Sequence, residues 1–285
     1  MTLNRRVWLG AAAAAAAGLA RPLRAASAPL RLAYAQEWSS SRLTTEIAAT
    51  LIRRELHVEV SLTPAAGGPM WAALAAGRID AMLMAWLPAT HATYWARYRR
   101  QLVDLGPITR GTWLGLAVPD YVPIDSLTQL GAAHAKFGHR IVGIEAGAGL
   151  MINTQRAISV YRMHGMQLMS SSTTAMQAQL ARAIARRRWI VVTAWKPLGI
   201  WSRFALKPLA DPRQVYDADG HIDAVIHPAL AQRQPRIVAF LRRFRLPLDE
   251  LQSMMVRLDR GEPLSRLTEG WIGEHADAIA CWTRD

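Results

Sequence analysis

The 285-residue chain contains a single cysteine, Cys281, so no intramolecular disulfide can form and stability has to come from packing. That cysteine is expected as a small buried hydrophobe. Lysine is equally scarce: only Lys136, Lys196 and Lys207 occur, and the other basic residues are arginines spread along the chain. Beyond residue 28 no apolar run approaches the roughly 20 residues that a membrane-spanning helix requires. No glycine-rich turn is followed by Gly-Lys-Ser/Thr, which excludes a P-loop. A nucleophile elbow, paired carboxylates in a motif and HExxH spacing among the eight histidines are absent, so covalent or metal-assisted hydrolysis has no motif to carry it. Internal repeats and recognised nucleic-acid reader motifs are missing too.

Residues 1–28 read as an export signal and are set aside from the fold. Arg5 and Arg6 form a positive start, Val7 to Ala20 is an alanine-dominated apolar run, and Ala26-Ser27-Ala28 is a small-residue cleavage site. Cutting after Ser27 is the competing position, because Pro29 hinders cleavage after Ala28. The run NRRVWLG is similar to a twin-arginine signal. A membrane anchor is the alternative, but Arg21, Pro22 and Arg24 interrupt the apolar stretch. The mature chain is therefore expected in the periplasm. Its formal charge falls from +13 to +9 when Arg5, Arg6, Arg21 and Arg24 leave. The remaining arginine clusters, Arg97 to Arg100, Arg186 to Arg188 and Arg242-Arg243, fall at predicted helix ends, where cations complement the dipole. This is a solvated basic surface, and no nucleic-acid partner is expected.

A hydrophobic content of 51% over this length allows one large domain or two lobes. LRLAYA (30–35), VEVSLTP and AMLMAWLP read as strands, separated by the helices TTEIAATLIRREL and PMWAALAAGRI. GTWLGLAVPDYVP (111–123) is a further strand, and a second alternating unit comes after it: HRIVGIEAG, a helix from about 151 to 164, MQLMSS, the helix TTAMQAQLARAIARRR and the strand WIVVTAW. HIDAVIHP (221–228) precedes a purely helical tail. Such alternation predicts an α/β fold with mostly parallel sheets and flanking helices. Two extended crossings divide it into a first lobe of residues 29–115 and 216–285 and a second of residues 116–215.

Three tryptophans, Trp71, Trp86 and Trp195, sit in Gly/Pro-punctuated segments. An aromatic box without an acidic wall suits a weakly hydrated onium cation. Each of these rings can equally be ordinary core or a sheet-edge residue, and Trp38, Trp95, Trp113, Trp189, Trp201, Trp271 and Trp282 are assigned to core or lobe surface. In AGAGLM (146–151) a strand ends in glycines where a helix begins, which would aim the amides of Gly149 and Leu150 at an anion. His91, at the end of Trp86-Leu-Pro-Ala-Thr-His91, either donates to such an anion or caps the next helix.

Taken in order, GPMWAALAAGRIDA, AWLPATHATYWARY, LVDLGP, LGLAVPDYV, VGIEAGAGLM, TAMQAQLARAI and WIVVTAWKP resemble the glycine betaine binding proteins of ABC-type osmoprotectant uptake systems. The resemblance implies the two-lobed periplasmic-binding-protein fold. It implies a tryptophan prism of Trp71, Trp86 and Trp195 around a trimethylammonium group, with His91, Gly149 and Leu150 holding the carboxylate. It further implies a monomeric, non-enzymatic carrier without catalytic residue, metal or cofactor, which delivers a quaternary ammonium ligand to a membrane permease driven by a cytoplasmic ATPase. Choline, carnitine and dimethylsulfoniopropionate are alternative ligands, and a sensor subunit is an alternative role. One departure stands out: relatives commonly read Trp-x-Pro-His-Trp where this chain has Trp195-Lys-Pro-Leu198-Gly199, and Trp201 is a candidate to refill the space.

Overall fold

The computed structural model describes residues 28–216 and 219–284; the segment read from sequence as an export signal, Ala28 excepted, lies outside them. The chain opens with β1 (Leu30–Tyr34), α1 (Ser39–Glu55), β2 (Val60–Pro64), α2 (Gly67–Ala75), β3 (Ala81–Leu87) and α3 (Ala92–Tyr98). The long strand β4 (Val103–Pro119) leads to β5 (Arg140–Val142), α4 (Gly149–Val160), β6 (Gln167–Met169), α5 (Thr173–Ala185), β7 (Val192–Lys196), α6 (Ile200–Arg203) and β8 (Leu206–Pro208). The return strand β9 (Gly220–Ile226) is followed only by helices: α7 (Ala229–Arg233), α8 (Pro235–Arg243), α9 (Leu248–Asp259), α10 (Leu264–Glu274) and α11 (Ala276–Thr283).

Local chemistry sets several of these boundaries. Pro235 opens α8, where its missing N–H costs nothing, and Arg242 and Arg243 close it. Asp249 and Glu250 occupy the first turn of α9, again complementing the dipole. Ser172 caps α5 by accepting from the Ala175 amide at 3.1 Å. The arginine clusters fall at the ends of α3, α5 and α8 as the sequence predicts.

Two half-sheets share β4. In the first the order is β2-β1-β3-β9-β4; in the second β4 pairs with β7 and β8, and β5 lies between β7 and β6. The pairs β1–β2, β1–β3, β5–β6 and β5–β7 are parallel. The crossing strands enter antiparallel: β9 against β3 and β4, and β4 against β7 and β8. The handover on β4 is abrupt, since Thr112 still faces Gly220 while Trp113 already faces Lys196. Each lobe has its own apolar core. Leu43, Ile47, Leu51, Phe240, Phe244, Met254 and Met255 belong to that of the first lobe, and Val118, Ile141, Leu180, Val192 and Leu198 to that of the second. Cys281 corrects the expectation of a buried thiol: it is exposed on the outer helix α11. Among the described residues no helix is long and apolar enough to cross a membrane.

Candidate ligand cavity between the lobes

Both half-sheets end at the same seam, where parallel strands of each lobe present their C-terminal edges, the usual place for a ligand in such layers. A cleft enclosing about 340 Å³, counted with the space open to solvent, lies there. Its aromatic walls are Trp38, on the turn after β1, Trp86, near the end of β3, and Trp195, near the end of β7. Ser40, Thr90 and His91 supply side-chain polar groups, and Gly149 and Leu150 belong to the same lining from the second lobe. No carboxylate belongs to the lining, so nothing in the wall competes with a ligand's own acid group.

Trp86 is fixed by the turn that carries His91. Its amide donates to Nδ1 of His91 at 3.0 Å, and its carbonyl accepts from the His91 amide at 2.8 Å. His91 stands at the N-cap position of α3 but makes no side-chain cap bond there. Because Nδ1 accepts, the ring proton sits on Nε2. The residue is 1% exposed, and burial pushes its pKa down to about 3, so His91 is a neutral donor.

At the other end, α4 begins at Gly149 with no side-chain cap. Among the described residues no backbone acceptor reaches the amides of Gly149 and Leu150, as expected for the first turn of a helix, and the dipole adds positive potential there. Glycine at 149 has a further cause. A Cβ would stand 2.0 Å from the carbonyl oxygen of Thr90, on the opposing lobe, so only glycine lets the two lobes approach this closely. Tyr94 strengthens the same seam by donating to the Gly147 carbonyl at 2.8 Å.

Of the six residues singled out from sequence, five meet at this cavity: Trp86, Trp195, His91, Gly149 and Leu150. Trp71 does not. Helix α2 turns that ring into the core of the first lobe, where it is 0% exposed, stacks on Tyr94 at 6.1 Å and meets the His91 ring edge-on at 5.7 Å. It braces His91 from behind. The third wall is Trp38, which corrects its assignment to core or lobe surface; it is partly buried and packs against the cores of both sides. The signal available in the sequence is position, since Trp38 comes just after β1 as Trp86 ends β3 and Trp195 ends β7. Trp201 does not refill the cavity: its Nε1 donates to the Trp195 carbonyl at 2.6 Å and its ring meets Trp113 edge-on at 5.5 Å, supporting Trp195 from outside.

A cleft between two α/β lobes, with a cavity drawing walls from both, defines a two-lobed binding protein. Residues 28–274 match the family model described as the substrate binding domain of ABC-type glycine betaine transport systems, and the chain belongs to that family. It is 33% identical over 163 residues to the glycine betaine/carnitine transport binding protein GbuC of Listeria monocytogenes. That stretch is 56% of this chain and 53% of the Listeria protein, so the chain matches about half the length of this curated relative. Among solved structures it is similar to lactococcal OpuAC in its closed conformation with glycine betaine, with a TM-score of 0.84 and 28% identity over 90% of this chain and 99% of that one. It is also similar to the glycine betaine/L-proline-binding protein ProX of Borrelia burgdorferi, with a TM-score of 0.85 and 25% identity over 90% and 97% of the two chains.

Proposed function

We propose that this chain captures glycine betaine, or a close quaternary-ammonium carboxylate, between its lobes in the periplasm and presents it to an ABC permease. The carrying observation is the composition of one cavity: its lining holds three tryptophans and no acid, together with two free helix amides and a neutral histidine donor. A quaternary ammonium cannot donate hydrogen bonds, so indole faces replace its loose hydration at little cost, each contributing roughly 0.5 to 2 kcal/mol. The carboxylate, by contrast, needs donors, and bonds to a charged acceptor contribute about 1.5 to 3 kcal/mol each. Trp38, Trp86 and Trp195 form the cage in this reading, and Gly149, Leu150 and His91 the acid end.

The lobes are residues 29–115 with 216–285, and residues 116–215. Because the site draws on both, ligand stabilises the closed arrangement selectively, and that difference is what a membrane partner can read. The role requires no covalent chemistry. The segment 1–28 fits export. Calorimetric titration tests the proposal: glycine betaine should bind, Trp86→Ala should abolish the heat, and choline, which lacks the acid group, should bind at least tenfold more weakly. Choline binding as tightly as glycine betaine would remove the acid end from the assignment. The name of the Listeria relative makes carnitine the first competitor to include.

A further inference from the structure

The loop behind Trp195 is held by the opposite lobe. Helix α9 is part of the first lobe, with Leu251, Met254 and Met255 buried in that core. From its outer face the Gln252 side chain reaches the second lobe at Leu198, 54 residues away. Leu198 N donates to Gln252 Oε1 at 3.0 Å, and Gln252 Nε2 donates to Leu198 O at 3.1 Å. One carboxamide thus satisfies both backbone groups of one residue, and only a side chain with a donor and an acceptor side by side can do so. About two turns further along α9, Asp259 lies against Gly199: a Cβ there would stand 2.0 Å from Asp259 Oδ2. Neither contact touches the ligand cavity, whose lining includes none of Leu198, Gly199, Gln252 and Asp259. Leu198 is three residues from Trp195, and the Trp195 carbonyl is itself bound by Trp201 Nε1. The loop and its indole therefore move as a unit.

We infer that Gln252 is a closure latch: its carboxamide, seated on Leu198 beside the glycine that admits Asp259, couples the arrival of Trp195 at the cage to the meeting of the two lobes. This rests on the binding function proposed above and adds to it a positioning residue outside the cavity. It also puts the departure at Leu198-Gly199 on the seam itself, where the Asp259 carboxylate occupies the space a side chain at 199 would enter. Opening breaks both Gln252 bonds, so the latch acts on how long ligand stays and not on how fast it arrives.

Stopped-flow kinetics with glycine betaine test it. Gln252→Ala should raise the dissociation rate roughly tenfold while the association rate changes less than about threefold. Gln252→Glu should lose at least as much despite its near-identical shape, because an oxygen then faces the Leu198 carbonyl; a Gln252→Glu protein that releases ligand at the wild-type rate would show that packing alone is at work and overturn the latch. Gly199→Ala should likewise speed release, and Asp259→Ala in that background should restore retention; no restoration counts against the seam contact. Amide hydrogen exchange at Leu198 in protein saturated with glycine betaine reads the latch directly, because the two bonds exist only while the lobes are together. The wild type should protect that amide and Gln252→Ala should not, whereas an unprotected wild-type amide would refute the latch even if glycine betaine binds. If glycine betaine does not bind, the ligand assignment alone fails, and the same exchange is read with carnitine as the saturating ligand.

Discussion

Trp86 and His91 hold each other by two hydrogen bonds, amide to ring nitrogen at 3.0 Å and amide to carbonyl at 2.8 Å, so two residues of the cavity lining form one rigid turn. The pairing also sets the chemistry of the histidine. With Nδ1 accepting, the imidazole presents Nε2–H as a neutral donor, and protonation would break the bond to Trp86. His91→Ala is expected to leave the buried Trp86 amide unpaired and to lower stability by about 1–3 kcal/mol, measured by urea unfolding. It should also lower glycine betaine affinity in the same preparation.

The same ring predicts a pH dependence of stability. In the unfolded chain His91 titrates near 6.5, whereas in the folded protein burial lowers it to about 3. Between those values the unfolded state binds a proton that the folded state refuses. The contribution of neutral His91 is therefore present above pH 6.5 and is lost progressively as pH falls toward 3, by a few kcal/mol in all. Unfolding free energies of wild type and His91→Asn, measured from pH 7 to pH 4, should converge on acidification. Parallel curves would mean that the histidine titrates in the folded protein as it does in the unfolded chain.

Trp38 and Trp71 separate binding from folding. Trp38 is a cavity wall with partial exposure, so Trp38→Ala should cost about 0.5–2 kcal/mol of glycine betaine affinity with a near-normal melting temperature. Trp71 is fully buried against Tyr94 and His91, so Trp71→Ala should cost about 3–5 kcal/mol of stability. Calorimetry and thermal melts on the two variants check this; a Trp71→Ala protein of unchanged melting temperature that cannot bind would reverse the assignment.

Gly149→Ala should fold and fail to bind. The added methyl would meet the Thr90 carbonyl, which is backbone and cannot swing aside, so the lobes are held apart at the acid end. Affinity is expected to fall by more than about tenfold, with the circular dichroism spectrum unchanged. Wild-type affinity in this variant would mean that the cavity forms without that close approach.

Asp80 provides a control remote from the cavity. Its carboxylate, 3% exposed as a residue, takes bonds from Arg31 Nη2 at 2.7 Å, Arg31 N at 2.8 Å and Arg233 Nη2 at 2.6 Å, joining β1 to the segment entering β3 and to α7. Burial raises its pKa, but the arginines outweigh that and hold it below the usual carboxylate range. Asp80→Ala should destabilise by about 1–3 kcal/mol, because the Arg31 amide and the two guanidinium groups lose their shared acceptor while the arginines stay open to solvent, and glycine betaine affinity below the melting transition stays the same. Chemical unfolding together with titration separates the two effects.

Much of this molecule was legible in neighbouring residues. Alternating periodicities, glycines and prolines at element ends, and arginines in last turns placed the strands and helices, because those signals act within a turn or a strand pair. The turn from Trp86 to His91 and the helix start at Gly149-Leu150 were readable for the same reason: each is a local unit whose geometry depends on a handful of consecutive residues. Which of the eleven tryptophans face the ligand was not. That depends on how α2 lies on its sheet, sending Trp71 inward onto Tyr94, and on the seam that brings the turn after β1 against the far lobe, making Trp38 a wall. Contacts such as Gln252 with Leu198 and Gly149 with Thr90 join residues of opposite lobes. No local pattern encodes them, because they arise only when two independently packed cores are brought together.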